Sequence, residues 1–416
     1  MTENGNQARP VRTLTVKNFS VIKEAKLEFG KITVLIGPQA SGKSLLCKLA
    51  YFLGREVFFI AEGRIKEGLD FANFKDAVGR EFERWFPRGG WGNQAWFVSF
   101  SSDDYGVMLS SGDGATTAPL IAFNGKFQQT YENGLGYGYP DNLFWPAYNL
   151  RGLAGVGVWD RATYIPSERT YFVDTSKDYR ALVAEPEPVV KGFALLYSNA
   201  RDPEIPKPRM ERQLRGRLVR GDDAWTFVFD DGRILPLNEL SSGDKELLPL
   251  LCVLEMYEFQ RPLATLEQSR GVAGSESWYR FDDFFVEEPE GHIFPATQWE
   301  LIRSFTEIAN SEKLSARFIV TTHSPYVLTS FNNLIEAGQA ARNNPKLRDE
   351  VAKIIPEQYW VKEGDFRAYA IEDGNLKSIL NESGFIEGNY LDQVSEVIGD
   401  EFDKLLRLEY EHTKAS

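Results

Sequence analysis

A glycine-containing segment between residues 37 and 44 restricts the fold of this chain more than any other feature. It follows a short β-branched run, Lys31 to Ile36, and precedes a helix-like stretch, Lys43 to Leu53. Its residues match the pattern G-x-x-x-x-G-K-[ST]: Gly37, Pro38, Gln39, Ala40, Ser41, Gly42, Lys43 and Ser44. Because the segment lies between a strand and a helix, its backbone N–H groups are predicted to point at an anion bound at the helix N-terminus.

This segment predicts that the chain binds a nucleoside triphosphate. The N–H groups of the loop, which Pro38 lacks, are expected to surround the phosphates, and Lys43 is expected to contact the β- and γ-phosphates in binding and catalysis. Ser44 is expected to give its hydroxyl to Mg²⁺, which bridges the two terminal phosphates. The alternative is an ordinary glycine turn, but the pattern arises by chance only about once in a hundred chains of this length. ATP and Mg²⁺ are therefore the expected ligands.

Two adjacent carboxylates follow a second apolar run, Phe284 to Val286. Glu287 and Glu288 stand where a buried strand leaves the sheet, which is the usual place for metal and phosphate chemistry in α/β proteins. Glu287 is expected to position Mg²⁺ through water, and Glu288 to accept a proton from the water that attacks the γ-phosphate. Alone, such a pair is more often a solvated strand end. The phosphate loop earlier in the chain favours the catalytic interpretation.

A serine-rich turn and a histidine complete the predicted site. Ser241, Ser242 and Gly243 precede an apolar helix, predicted from Lys245, so their hydroxyl and N–H groups form a second candidate anion site. Alone, this is an ordinary helix N-cap. It becomes functional if a second copy of the chain, paired head to tail, brings its own phosphate loop against it. His323 ends another buried run and is expected to hydrogen-bond the γ-phosphate or the attacking water.

Composition and charge exclude several classes of protein. The 60 acidic and 47 basic residues give a net charge of −13, which argues against a surface that binds nucleic acid or anionic lipid throughout. Two cysteines and three histidines are too few for a disulfide framework or a dedicated zinc cluster. No run reaches the roughly 18 apolar residues of a membrane-spanning helix. We therefore expect a cytoplasmic protein without a membrane contact.

The order of these motifs resembles that in AAA-family ATPases of the ATP-binding-cassette (ABC) and structural-maintenance-of-chromosomes (SMC) type. It is most similar to the ATPase part of the overcoming-lysogenisation-defect (OLD) family and related bacterial anti-phage ATPases. Leu240 to Gly243 resembles the signature of that family, Glu287 to Pro295 its extended Walker B segment, and Thr322 to Pro325 its switch-histidine segment. Ile165 to Arg169 also resembles a family segment. The resemblance covers residues 11–335.

The resemblance implies an α/β fold of the ABC P-loop type, with a mixed central sheet, a flanking antiparallel sheet and a helical lobe. It implies an ATPase in which two copies close over ATP as a homo-oligomer, and a sensor or regulator of a separately encoded effector, such as a nuclease, in anti-phage defence. The expected regions are an N-terminal ATPase lobe (1–125), a glycine- and aromatic-rich insertion (126–158), a helical lobe with the signature (159–260), a C-terminal ATPase lobe (261–335) and a C-terminal helical extension (336–416).

Two alternatives remain open on the sequence. One is a scaffold that is stabilised by ATP with negligible turnover and whose aromatic insertion binds a partner protein. The other is a DNA-maintenance or repair ATPase that binds nucleic acid through Arg209, Arg212 and Arg215, although such a basic stretch is more often a solvated helix face. Three tryptophans are expected to pack in the core or an interface rather than to stack on bases: Trp85, Trp91 and Trp96. The acidic segment from Asp392 to Leu405 is predicted as an amphipathic docking helix.

Overall fold

A computed structural model of the protein describes residues 12–102, 105–112, 118–136, 162–174, 187–221, 224–269, 283–311 and 316–388. Their strands are β1 Arg12–Phe19, β2 Ile22–Phe29, β3 Ile32–Ile36, β4 Phe97–Ser102, β5 Tyr105–Ser110, β6 Leu120–Phe123, β7 Ala162–Ile165, β8 Gly216–Arg220, β9 Trp225–Phe229, β10 Ile234–Pro236, β11 Asp283–Glu287, β12 Arg317–Thr322, β13 Phe366–Glu372 and β14 Asn375–Ser378. Their helices are α1 Lys43–Tyr51, α2 Val57–Lys66, α3 Phe71–Trp85, α4 Gly125–Gly136, α5 Tyr171–Asp174, α6 Pro188–Ala200, α7 Pro208–Leu214, α8 Ser242–Ser269, α9 Pro295–Asn310, α10 Pro325–Asn343 and α11 Arg348–Ile354.

An 11-stranded mixed sheet forms the centre of the fold, in the order β6-β5-β4-β1-β2-β14-β13-β3-β12-β11-β7. The strands from β13 to β7 in this order pair in parallel, whereas β2, β1, β4, β5 and β6 pair antiparallel. Strands β8, β9 and β10 form a separate antiparallel sheet. The expected α/β fold with a mixed central sheet and antiparallel strands beside it is confirmed.

The strands β3, β7, β11 and β12 of the central sheet are buried on both faces. Successive residues of β3 point to opposite faces, because side chains alternate along a strand: Val34 packs with helices α6, α8, α9 and α10, and Leu35 packs with helices α1 to α3 and the antiparallel strands. The second core contains Trp91 and Trp96, which are 1% and 2% exposed, and Trp85 packs against it. The expectation that these tryptophans serve packing is confirmed.

The predicted helical extension over 336–416 is wrong in part. Helices α10 and α11 are followed by β13 and β14, and β13 lies in the central sheet directly beside the strand that leads to the phosphate loop, with Ala368 paired to Val34. The turn between β13 and β14 consists of Asp373 and Gly374, both with positive φ, which is the hairpin signal that sequence analysis missed. The predicted docking helix from Asp392 lies outside the described residues.

Two other predicted regions also differ from the structure. The insertion predicted over 126–158 begins with helix α4, whose Phe127 and Tyr131 are 1% and 0% exposed and belong to the N-terminal core. These residues are four positions apart, so they lie on one helix face. The remainder of that insertion lies outside the described residues. The helical lobe predicted over 159–260 begins with β7, which pairs in parallel with β11 at the edge of the central sheet.

A buried ion cluster joins three strands at the ends remote from the phosphate loop. Asp283 begins β11 and is fully buried. Its carboxylate accepts hydrogen bonds from Arg12 of β1, at 3.3 and 3.4 Å, and from Arg317 of β12, at 2.6 and 3.1 Å. Because Arg12 is also buried, the cluster is strongly shielded from water.

We expect Asp283→Asn to lower the free energy of unfolding by about 3–5 kcal/mol, because loss of a buried carboxylate leaves the opposing guanidinium groups without their counter-charge. Urea denaturation measures the change. Asp231→Asn removes an exposed carboxylate that pairs with Arg233 and serves as the control, with little change expected. Equal denaturation midpoints for the two variants would contradict the assigned role of the cluster.

Candidate nucleotide site

The phosphate loop leaves β3 and enters α1 through a backbone that requires glycine. Gly42 has φ of 104° immediately before the first helical residue, and a Cβ atom added there would lie 2.6 Å from Cδ1 of Ile22. Ala40 also has positive φ, at 60°. A left-handed conformation and close contact with β2 therefore restrict position 42 to glycine.

Lys43 begins α1 and lies inside the loop. Its ammonium donates hydrogen bonds of 2.9 Å to the carbonyl oxygens of Gly37 and Pro38, and the residue is only 4% exposed. Burial lowers the pKa of Lys43, while the carboxylates of Glu288, Glu290 and Glu287 act in the opposite direction. The loop thus holds a largely desolvated cation next to the acidic residues that follow β11.

The residues of the loop fit a magnesium nucleoside triphosphate. No side chain caps the N-terminus of α1, so no side-chain acceptor competes for its first N–H groups. The hydroxyl of Ser41 is buried without a hydrogen-bond partner within the described part of the chain. Ser44 lies in the first turn of the same helix, where its hydroxyl is available to Mg²⁺. Pro38, Gln39 and Ala40 form the rest of the loop. The loop and the first turn of α1 thus provide polar groups for the phosphates and the metal.

The strand β11 carries Glu287 into the centre of the site. It lies between β7 and β12, and all three strands run parallel, so their carboxyl ends meet at one edge of the sheet. Glu287 is buried, and its carboxylate accepts a 2.6 Å hydrogen bond from the hydroxyl of Tyr164 and a 3.4 Å bond from the N–H of Ser167. The orientation of Glu287 is therefore set by residues at the end of β7.

Glu288 and His323 lie side by side at the ends of neighbouring strands. The carboxylate oxygen Oε1 of Glu288 is 3.2 Å from Nε2 of His323. Glu288 has φ of 41°, and its N–H donates to the carbonyl oxygen of Thr321 at 3.0 Å. A left-handed conformation is unusual for a residue with a Cβ and is found preferentially at functional sites. Both side chains are part-exposed and can contact a ligand.

Glu290 connects the loops that carry Glu288 and His323. Its Oε1 accepts a 2.7 Å hydrogen bond from the hydroxyl of Thr322 and a 2.6 Å bond from the N–H of His323. Glu290 also acts electrostatically on Lys43. The carboxylate thus fixes the backbone from which the His323 side chain projects.

The serine-rich turn at the start of α8 differs from the phosphate loop. The hydroxyl of Ser241 caps the helix by accepting from the N–H of Asp244 at 3.2 Å and donates to the Asp244 carboxylate at 2.7 Å. Ser242 is exposed. A Cβ at Gly243 would lie 3.0 Å from the carbonyl oxygen of His292 in the loop after β11. This turn therefore contacts the loop after β11 through its backbone, while Ser241 and Ser242 are exposed.

The structure brings together most, but not all, of the residues that the sequence indicates. Lys43, Glu287, Glu288 and His323 surround the carboxyl ends of β3, β11 and β12. The turn at Ser241–Gly243 instead lies beside the carbonyl oxygen of His292, in the loop after β11. Tyr164, Glu290 and Arg169 have no individual role predicted from the sequence, although Glu290 and Arg169 lie in segments that resemble the family. No local pattern identifies Tyr164, because its contact with Glu287 depends on the pairing of β7 with β11.

Comparison with protein families agrees with this geometry. Residues 32–329 match the family described as "AAA domain, putative AbiEii toxin, Type IV TA system", and the match covers more than half of the 416 residues. The chain belongs to this family. The matched range of this AAA domain includes the phosphate loop, the turn Ser241–Gly243, Glu287, Glu288 and His323. No curated protein matches the sequence.

Several solved structures are similar to this AAA domain. An SMC head domain from Thermotoga maritima has a TM-score of 0.39 and 14% identity, over 90% of this chain and 99% of that one. An SMC head bound to the C-winged helix domain of ScpA has a TM-score of 0.46 and 14% identity, over 89% and 96%. An SMC head with an extended coiled coil, bound to the C-terminal domain of ScpA derived from Pyrococcus furiosus, has a TM-score of 0.42 and 13% identity, over 89% and 95%.

The basic stretch considered for nucleic-acid binding is partly buried. Arg209 is 8% exposed, and its guanidinium donates to Glu258 at 2.6 Å and to Glu307 at 3.3 Å. A charge that is neutralised inside the protein cannot contact a phosphate backbone, so Arg209 serves the packing of α7 against α8 and α9. Among the helices of the AAA domain whose residues are described, none combines the length and apolar character of a membrane span.

Proposed function

We propose that this AAA domain binds and hydrolyses ATP with Mg²⁺, and that hydrolysis depends on Glu288. The observation that carries this proposal is the 3.2 Å contact between Glu288 and His323 next to the buried ammonium of Lys43. A general base and a hydrogen-bonding imidazole beside a phosphate-binding lysine are the groups that phosphoryl transfer to water requires.

Each residue has one part in the proposed reaction. Lys43 exchanges its two loop carbonyl partners for phosphate oxygens, and the N–H groups of the loop residues other than Pro38 orient the triphosphate. Glu288 accepts the proton of the attacking water, and His323 holds that water or the γ-phosphate by a hydrogen bond. When bound, Mg²⁺ neutralises charge on the terminal phosphates. Ser44 and Glu287 would hold it, and Glu287 would do so through water because Tyr164 and Ser167 already contact its carboxylate.

We further propose that two copies of the chain close over ATP, with the turn Ser241–Gly243 of each copy against the phosphates of the other. The exposed Ser242 and the N-terminus of α8 support this arrangement, because a hydroxyl group and the positive end of a helix both favour a bound anion. The family description and the resemblance to OLD-type ATPases support a role as a cytoplasmic sensor or regulator of a separately encoded effector in anti-phage defence.

Purified protein provides the first test of hydrolysis. Phosphate release from ATP is measured with Mg²⁺ and with excess EDTA, alongside nucleotide binding by a fluorescent ATP analogue. The proposal requires release that depends on Mg²⁺ and saturates with ATP. Tight binding without release would instead support a scaffold that is stabilised by nucleotide. The absence of both ATP binding and phosphate release would contradict the proposed site altogether.

Tyr164→Phe tests the proposed metal role of Glu287. The variant loses the 2.6 Å hydrogen bond to the Glu287 carboxylate, and such supporting bonds change metal affinity by about 10- to 100-fold. We expect the Mg²⁺ concentration that gives half-maximal ATP binding to rise by about tenfold. Tyr105→Phe is the matched control, because its buried hydroxyl donates to the carbonyl oxygen of Leu53. Identical Mg²⁺ titrations for the two variants would contradict the role of Glu287.

A further inference from the structure

Arg169 is fully enclosed between helix α8, which begins at the Ser241–Gly243 turn and is called the signature helix below, and residues 288–292 after β11, called the catalytic loop below. It follows β7 and is 1% exposed. One guanidinium nitrogen, Nη1, donates to the carbonyl oxygens of Pro166 at 2.8 Å and Glu287 at 2.6 Å. The other, Nη2, donates to the carbonyl oxygen of Glu288 at 2.9 Å and lies 2.9 Å from Oε2 of Glu246. A single side chain therefore contacts β7, the end of β11 and the first turns of α8.

We propose that Arg169 is a positioning residue that couples the signature helix to the catalytic loop, so that contact of Ser241–Gly243 with a second copy's nucleotide is transmitted to Glu288. The inference rests on the proposed function. It adds a physical connection between the turn that would face the partner's phosphates and the base that would act on the same chain's own ATP.

The Glu288 backbone explains why such a connection is needed. Its left-handed φ of 41° costs about 1 kcal/mol or more for a residue that carries a Cβ, so surrounding contacts must hold it. Thr321 holds the N–H of Glu288, and Arg169 holds its carbonyl oxygen. The same carbonyl oxygen accepts a 3.1 Å bond from the N–H of Gly291. Arg169 thereby fixes the direction in which the Glu288 side chain leaves the backbone.

Glu246 attaches this arrangement to the signature helix. It lies in α8 one turn beyond Ser242, is 5% exposed and packs beside Gly291, where an added Cβ would lie 3.5 Å from its Cδ. Burial raises the pKa of the Glu246 carboxyl, and the nearby Arg169 acts in the opposite direction. A shift of α8 relative to β11 must therefore move or break the buried ion pair between Glu246 and Arg169. Arg169 also donates hydrogen bonds to the carbonyl oxygens of Glu287 and Glu288.

The chemistry of the contact requires arginine. A planar guanidinium presents donors in fixed directions to several acceptors, whereas the ammonium of lysine acts as a single compact charge. Arg169→Lys can retain the attraction to Glu246 but cannot span the carbonyl oxygens of Pro166, Glu287 and Glu288 together. This variant therefore separates the charge of Arg169 from its geometry, and it leaves no unpaired carboxylate in the core.

The test uses the full chain with Arg169→Lys, Arg169→Met and the control Arg12→Met. Arg12 is also 1% exposed and pairs with a buried carboxylate, but it lies at the opposite ends of the strands, and Asp283 keeps Arg317 as a partner in the variant. Steady-state hydrolysis gives kcat and KM for ATP. Hydrogen exchange gives the protection of the amides in segments 288–292, except Pro289, and 242–247, with and without a non-hydrolysable ATP analogue and Mg²⁺.

We expect Arg169→Lys to lower kcat by about tenfold or more with KM for ATP changed less than about twofold, since the base is misplaced while the phosphate loop is intact. The Gly291 amide should exchange faster in Arg169→Lys and Arg169→Met, and the ATP analogue should no longer protect residues 288–292. Arg12→Met should lower the melting temperature but keep kcat and the protection by the analogue.

Unchanged kcat and unchanged exchange of residues 288–292 in Arg169→Lys would overturn the inference, and so would an equal loss of kcat in Arg12→Met. If the wild-type protein hydrolyses no ATP, the proposed function fails, but amide exchange still decides the inference. Faster exchange at both 288–292 and 242–247 in Arg169→Lys would support the coupling, and wild-type exchange at both segments would contradict it.

Discussion

Glu288→Gln should lower kcat for ATP hydrolysis by about 10²- to 10⁴-fold, which is the usual contribution of a general base. The glutamine amide can remain within hydrogen-bonding distance of His323, but it cannot accept a proton from water. The substitution conserves volume, and the carboxylate of Glu288 is part-exposed, so we expect little change in folding. Phosphate release under single-turnover conditions measures the chemical step directly.

Binding of ATP should persist in Glu288→Gln, because the phosphate loop and Lys43 are unchanged. Glu300→Gln provides the control, since Glu300 is an exposed carboxylate on α9 that pairs with Arg303. Hydrolysis by Glu288→Gln at the wild-type rate would show that another group accepts the proton. Loss of ATP binding in this variant would show that Glu288 serves binding rather than chemistry.

Lys43→Ala should raise the dissociation constant for Mg²⁺–ATP by roughly a hundredfold, which corresponds to loss of about 3 kcal/mol from a buried charged contact. The ammonium is desolvated and held by the loop carbonyls of Gly37 and Pro38, so it is already positioned where the phosphates would bind. Equilibrium titration with a fluorescent ATP analogue measures the change, and phosphate release at saturating ATP shows any further loss in catalysis.

Lys48→Ala is the matched control for Lys43→Ala. Lys48 lies on the same helix, and its ammonium pairs with Glu187 instead of the loop. The control variant should bind ATP with nearly wild-type affinity. Equal affinities for the wild type and Lys43→Ala would contradict the assignment of residues 37–44 as the phosphate site.

The sequence predicts the phosphate site and the type of sheet because both depend on local patterns. A strand, a glycine loop and a helix follow each other directly between Ile32 and Tyr51. The apolar runs that become β11 and β12 end in Glu287 and His323, and parallel strands bring such ends to one edge of the sheet. The catalytic roles of these residues stay predictions until the variants are measured.

The supporting residues cannot be predicted in the same way because their contacts depend on strand order. Arg169 and Glu287 are separated by 118 positions and meet only because β7 pairs with β11. Tyr164 meets the Glu287 carboxylate for the same reason. Likewise, no local pattern places β13 beside β3, so the C-terminal region was expected to be helical although the Asp373-Gly374 turn indicates a hairpin.

The mass of Glu288→Gln in solution tests the central claim most directly, namely that ATP joins two copies of this chain. Sedimentation velocity is measured with ATP and Mg²⁺, with ADP and Mg²⁺, and without nucleotide. We predict a dimer with ATP only, and loss of that dimer when Ser242→Arg is added, because a bulky cationic side chain would obstruct the turn that faces the partner's nucleotide. A monomer that is saturated with ATP in the Glu288→Gln variant would contradict the account.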